Sequence, residues 1–100
     1  MLSVVTEQPY PEWPPSCLHF NHSLWSITTA ENVMNDASRA DSLSDVTRWW
    51  VAGLLKHADA IMALYCPTVN CYRSLDGHFA ATFADWGIDD RSAALRVKNY

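Results

Sequence analysis

The chain has 100 residues, of which 49% are hydrophobic and 18% charged, and a formal net charge of −4. That length allows one small domain, and the apolar fraction excludes a wholly disordered tail. The acidic balance leaves neither a basic footprint for nucleic acid nor a polybasic run for a membrane surface.

A chain of this size buries roughly two-thirds of the surface it exposes when unfolded, so any core is small. Its 5 tryptophans point to packing or to a buried interface. Residues 1 to 16, MLSVVTEQPYPEWPPS, hold four of the five prolines. Proline fixes φ and removes a backbone donor, which predicts an extended arm there. PEWPP also has the composition of a ligand for an aromatic-lined groove. The segment has no cationic n-region and no long apolar stretch, so a secretory signal is not expected. The longest apolar run, residues 49 to 55, is too short to span a bilayer. Cys17, Cys66 and Cys71 make an odd number, too widely spaced for a CxxC motif and without a fourth ligand for zinc. They are read as reduced, packed thiols of a cytoplasmic protein.

Residues 17 to 25, CLHFNHSLW, read as a strand with Cys17, His19, Asn21 and Ser23 on one face. Leu18, Phe20, His22 and Leu24 share the other, mainly apolar face. Residues 26 to 42 are polar and rich in turn residues, a loop with one short helical turn near residues 30 to 34. A long helix then covers about 44 to 65, capped by Ser42 or Ser44, with Asp45 in the first turn where the macrodipole favours negative charge. Val46, Trp49, Trp50, Gly53, Leu54, His57, Ile61 and Leu64 recur at three- and four-residue spacing and define one apolar stripe, with Thr47, Lys56 and Asp59 away from it. Gly53 inside that stripe predicts close packing against another element, and His57 a packed, hydrogen-bonded histidine.

Beyond Pro67, residues 68 to 72 are short and β-prone, and Asp76-Gly77 supplies a turn. Residues 79 to 86 form a candidate strand, residues 87 to 90 a second turn, and residues 91 to 97 a further alternating strand. Asp89 and Asp90 are solvated turn residues rather than a catalytic pair. A helix followed by strands, with no βαβ repeat, predicts an α+β domain in which antiparallel strands flank the helix.

Three blocks in order carry a family resemblance: HFNHSLW, then AGLLKHADAIMALYCPTVNCYR, then WGIDDRSAALRV. Together they resemble the catalytic domain of glutamine synthetase, in its type I and lengsin-like branch, over about residues 17 to 97. The resemblance divides the chain into a proline-rich arm (1 to 16) and a partial catalytic domain (17 to 100). It implies ATP-dependent ligation of ammonia to glutamate through γ-glutamyl phosphate, with Mg²⁺ or Mn²⁺ ions and arginines neutralising the phosphates. It also implies a homo-oligomeric ring with ATP and glutamate as partners.

Carried over by position, His19 corresponds to a metal-ligand histidine, and Ser23, Arg91 and Arg96 to nucleotide- or phosphate-contacting residues. Asn21 stands where the family has a second histidine, and His22 falls one place later, facing the core if the strand is regular. The departures are specific. Ser74 occupies the place of the glutamate-binding arginine, with Arg73 in that of the preceding lysine. DGHFAA stands where the family has its catalytic glutamate, with Ala80 near that position. No residue is therefore assigned as catalytic. The expectation is a fragment of a glutamine synthetase-like protein, inactive by itself. The alternative is a non-catalytic structural or interaction module of the lengsin type.

Overall fold

The computed structural model describes residues 10, 12, 19–73, 75 and 83–98. In chain order the elements are α1 (Asp45–Lys56), α2 (Ala58–Tyr65), α3 (Val69–Arg73), β1 (Trp86–Ile88) and β2 (Leu95–Val97). Helices with one small sheet make an α+β arrangement.

The expected strand over residues 17 to 25 is not regular: among its described residues only Trp25 forms a bridge, antiparallel to Asn32. Residues 24–43 instead fold into two loops closed by bridges, the second between Asn35 and Leu43. In the first loop the Ser26 amide donates to Glu31 O at 2.9 Å. In the second the Asp36 amide donates to Ser42 O, also at 2.9 Å. The expected helical turn near residues 30 to 34 is absent because the Asn32 side chain accepts from the Met34 amide at 2.9 Å. That Asx turn competes with a helical bond for the same backbone group. Ala30 and Ser42 close the loops with φ of 55° and 56°, a left-handed conformation that only a tight turn makes acceptable for such residues.

α1 starts where the sequence predicts. Ser44 is its N-cap and accepts from the Thr47 amide, satisfying one of the orphan donors of the first turn. The same Ser44 hydroxyl donates to Val33 O at 2.6 Å, so one side chain both caps the helix and holds the preceding loop. Thr47 Oγ1 adds a second tie, donating to Met34 O at 2.5 Å.

The long helix of residues 44 to 65 is in fact two. His57 leaves helical geometry at φ −106°, ψ 14° and serves as C-cap of α1 and N-cap of α2. Lys56 in the last turn of α1 and Asp59 in the first turn of α2 sit where the macrodipole favours each charge at a helix end. His57 is therefore an exposed junction residue, not the packed histidine its place on the stripe implies.

The buried face also differs from expectation. Leu43, Thr47, Val51 and Cys71 are the buried residues among those described, and the first three follow a four-residue spacing on a face beside the apolar stripe. Thr47 is 1% exposed, whereas Trp49 is 70% and Leu64 82% exposed. Hydrophobicity alone misplaces the face because the Thr47 hydroxyl finds a carbonyl there, which removes the penalty for burying it. At Gly53 an added Cβ would meet nothing within 4 Å, so the close packing inferred for that glycine is not present among the described residues.

After Pro67, the β-prone residues 68 to 72 turn into α3. Thr68 begins it: the Cys71 amide donates to Thr68 O at 3.1 Å, and the Thr68 hydroxyl lies 3.0 Å from Cys71 Sγ. Burial of Cys71 anchors the turn and overrides the β preference of threonine and valine. Among the described residues of the region expected as strands, 79 to 86 and 91 to 97, and the turn between them, Trp86–Ile88 and Leu95–Val97 are regular. Asp76-Gly77 and residues 79–82 lie outside the described residues.

The two strands pair parallel, with Trp86, Gly87 and Ile88 opposite Leu95, Arg96 and Val97. This corrects the antiparallel expectation. The connecting loop reverses twice: Asp89 takes φ 53°, and the Asp90 carboxylate accepts from the Ser92 amide at 2.8 Å and its hydroxyl at 2.6 Å. Asp85 Oδ1 then accepts from the Ala94 amide at 3.0 Å, drawing the returning chain back to the start of β1.

Candidate functional site

His19 and Ser23 lie on the segment ahead of α1, and both are exposed. The Ser23 hydroxyl accepts from the Trp25 indole at 2.8 Å. Arg91 is exposed in the β1–β2 loop, and Arg96 is exposed on β2 between half-buried Leu95 and Val97. Among the described residues, no hydrogen bond or ion pair joins any two of these four. In chain order His19 and Ser23 precede the helices, and Arg91 and Arg96 follow them.

His22 is the best-anchored residue of the first segment. Its Nε2 accepts from the Trp50 indole at 2.7 Å, and the two rings meet edge to face with centroids 5.7 Å apart. Phe20 stacks obliquely on His22 at 5.3 Å and meets Tyr65 edge to face at 6.5 Å. The segment is therefore laid across both α1 and α2 by aromatic contacts. The core-facing side expected for Phe20 and His22 is not found: the segment is not a regular strand and both residues are exposed.

The apolar stripe opens as a groove of about 260 Å³ lined by Trp49, Trp50, Gly53, Leu54, His57 and Ile61. It contains no charged side chain, so it suits apolar contact rather than phosphate.

Electrostatic detail is concentrated in the two loops. Hydrogen bonds from the Ser38 hydroxyl and amide, then the charge of Arg39, hold the Asp36 carboxyl below the usual aspartate range. Arg39 also reaches Asp45 at 2.9 Å, and this carboxylate raises its pKa. Asp41 is lowered by the Leu43 amide and by its ion pair with Arg48. Asp90 is lowered by the Ser92 hydroxyl and amide. These carboxylates close turns, and each is occupied by its own neighbours. Lys98 pairs with Asp89 across the strand loop.

The family model for the glutamine synthetase catalytic domain matches residues 2–99. The chain belongs to that family. It is similar to type-1 glutamine synthetase 2 of Dictyostelium discoideum, 32% identical over 91 residues, which are 90% of this chain and 18% of that protein. It is 41% identical over 86 residues to glutamine synthetase of Thermococcus kodakarensis, covering 85% of this chain and 18% of the relative. Lengsin of Rattus norvegicus is 35% identical over 85 residues, covering 78% of this chain and 15% of lengsin. The chain thus spans less than a fifth of each of these relatives.

Membership implies ATP and divalent metal use in the family at large. The described residues do not fit such a metal. No three His, Cys, Asp or Glu side chains among them converge, and Mg²⁺ takes several oxygen ligands in near-octahedral array. Ser74 and Ala80 lie outside the described residues. Sequence reading missed the anchoring role of His22 and Trp50. A donor-only indole and a histidine within a stretch of aromatics were the available signal, but their 28-residue separation hid the pairing.

Proposed function

We propose that this chain is a piece of a glutamine synthetase-like protein that does not by itself carry out ATP-dependent glutamate–ammonia ligation. The observation that carries the reading is the identity of two residues, Ser74 and Ala80, at and near places where the family has an arginine and a glutamate. A serine hydroxyl brings no charge to a substrate carboxylate. An alanine methyl cannot take the proton that ammonia must lose to attack γ-glutamyl phosphate. His19 as metal ligand, with Ser23, Arg91 and Arg96 toward ATP, are the inherited binding positions. The family's homo-oligomeric ring, with ATP, glutamate and Mg²⁺ or Mn²⁺ as ligands, belongs in this reading to the larger assembly, and its location is cytoplasmic.

A thermal melt of the chain with and without Mn²⁺ and a non-hydrolysable ATP analogue tests the proposal, beside phosphate release with ATP, glutamate and ammonia. The expected result is no phosphate release and no rise in Tm. Native-state binding at a hundredfold excess over Kd would add about 2.7 kcal/mol. A rise of that size, or ligand-dependent phosphate release, would overturn the reading.

The second reading is a non-catalytic, lengsin-like structural or interaction module. The open groove with Trp49 at its edge and the similarity to lengsin favour it. It predicts self-association in sedimentation velocity that Trp49→Ser abolishes.

A further inference from the structure

We propose that His22 and Trp50 form a pH-sensitive latch that holds the segment bearing His19 and Ser23 against the helices. An indole N–H can only donate. The 2.7 Å contact from Trp50 Nε1 to His22 Nε2 therefore requires a lone pair on Nε2 and the imidazole proton on Nδ1. That is the neutral ring in one tautomer. Protonation places a second N–H against the indole N–H, and the bond becomes a donor facing a donor.

Among the described residues, this is the hydrogen bond between the segment and α1, made beside the edge-to-face contact of the same two rings, while the Phe20 ring meets Tyr65 of α2 edge to face. Both contacts are exposed to solvent, so a proton reaches the imidazole without unfolding the chain. The titratable groups on the neighbouring elements are His57, which lines the same groove as Trp50, and Tyr65, reached through the Phe20 ring. His19 lies three residues earlier on the same segment. The ion pairs of the described residues lie elsewhere, at 36–48 and 89–98, and no carboxylate among them stabilises a charged His22. His22 is thus the group at which acid acts on this contact. Freed by acid, residues 19–23 lose their seat, and His19 and Ser23 move with them.

The latch is tested by NMR of the full 100-residue chain, following the Trp50 indole N–H, assigned through Trp50→Phe, from about pH 8 to about pH 5. The expected result is a hydrogen-bonded indole signal at the alkaline end that moves to the free-indole position in one titration. His22→Gln, whose amide oxygen can accept from the indole without titrating, keeps the signal bonded throughout. His57→Gln leaves the wild-type titration in place. A Trp50 signal that does not move with pH would overturn the proposal. So would a His22→Gln signal that titrates like the wild type, a titration that vanishes in His57→Gln, or a free-indole position already present at the alkaline end. None of these readouts depends on ligation activity, so the latch and the proposed function can fail separately.

Discussion

Thr47→Val separates the two faces that compete to be the inside of α1. Valine keeps the shape of threonine and replaces its hydroxyl by a methyl group. Thr47 is 1% exposed, and its hydroxyl donates to Met34 O at 2.5 Å. The Met34 carbonyl still receives the Ser44 amide at 3.2 Å, so the substitution removes one of two bonds rather than orphaning the acceptor. The expected cost is about 1–2 kcal/mol, a large part of the roughly 5 kcal/mol at the low end for a domain of this length. In a melt followed by circular dichroism this appears as a Tm drop of roughly 4–16 °C. Trp49→Ser is the matched comparison. At 70% exposure it should change stability by no more than about 0.5 kcal/mol. If the apolar stripe were the core, the same change would cost about 3–5 kcal/mol. A Thr47→Val protein that melts like the wild type, beside a Trp49→Ser protein that unfolds, would refute the packing described above.

Gly53→Ala should stabilise the chain by about 1 kcal/mol, since alanine is the better helix former and the added Cβ meets nothing within 4 Å. A urea midpoint that falls would show an unseen neighbour. Gly87→Ala should destabilise by about 1–3 kcal/mol, because its Cβ would come within 2.6 Å of the Asp90 Cβ, backbone-anchored and unable to swing away. Loss of slowly exchanging amides in β1 and β2 would report it. Acid should open the 36–42 loop. Asp36 is held below its ordinary value of 3.8, so its contribution is complete above that value and disappears as pH falls through the lower folded value. Amide exchange at Ser38 and Arg39 should therefore accelerate at the acid end, and Asp36→Asn should flatten the dependence; unchanged acid acceleration in that variant would count against the assignment.

The beginning of α1 was legible from local chemistry alone. Ser44 with Asp45 one place later satisfies orphan amides and the macrodipole at short range, and no distant contact is needed. Family membership was legible too, because three ordered blocks persist along the chain. What pattern could not reach was decided by how these local preferences combine, and at Thr47 by a group distant in sequence. Thr47 is buried because the Met34 carbonyl accepts its hydroxyl, so a polar residue took the inner face and the tryptophans were left on an open groove. The helix ends at His57 with no proline to announce it, through a backbone turn flanked by Lys56 and Asp59. α3 forms from β-prone residues because Cys71 is buried against its own turn. The strands run parallel because Asp89, Asp90 and Asp85 bend a short loop back on itself. Short-range hydrogen bonding and charge act between neighbours, so the sequence by itself determined the start of α1. Which face is buried and how strands pair depend on partners that only the tertiary structure brings together.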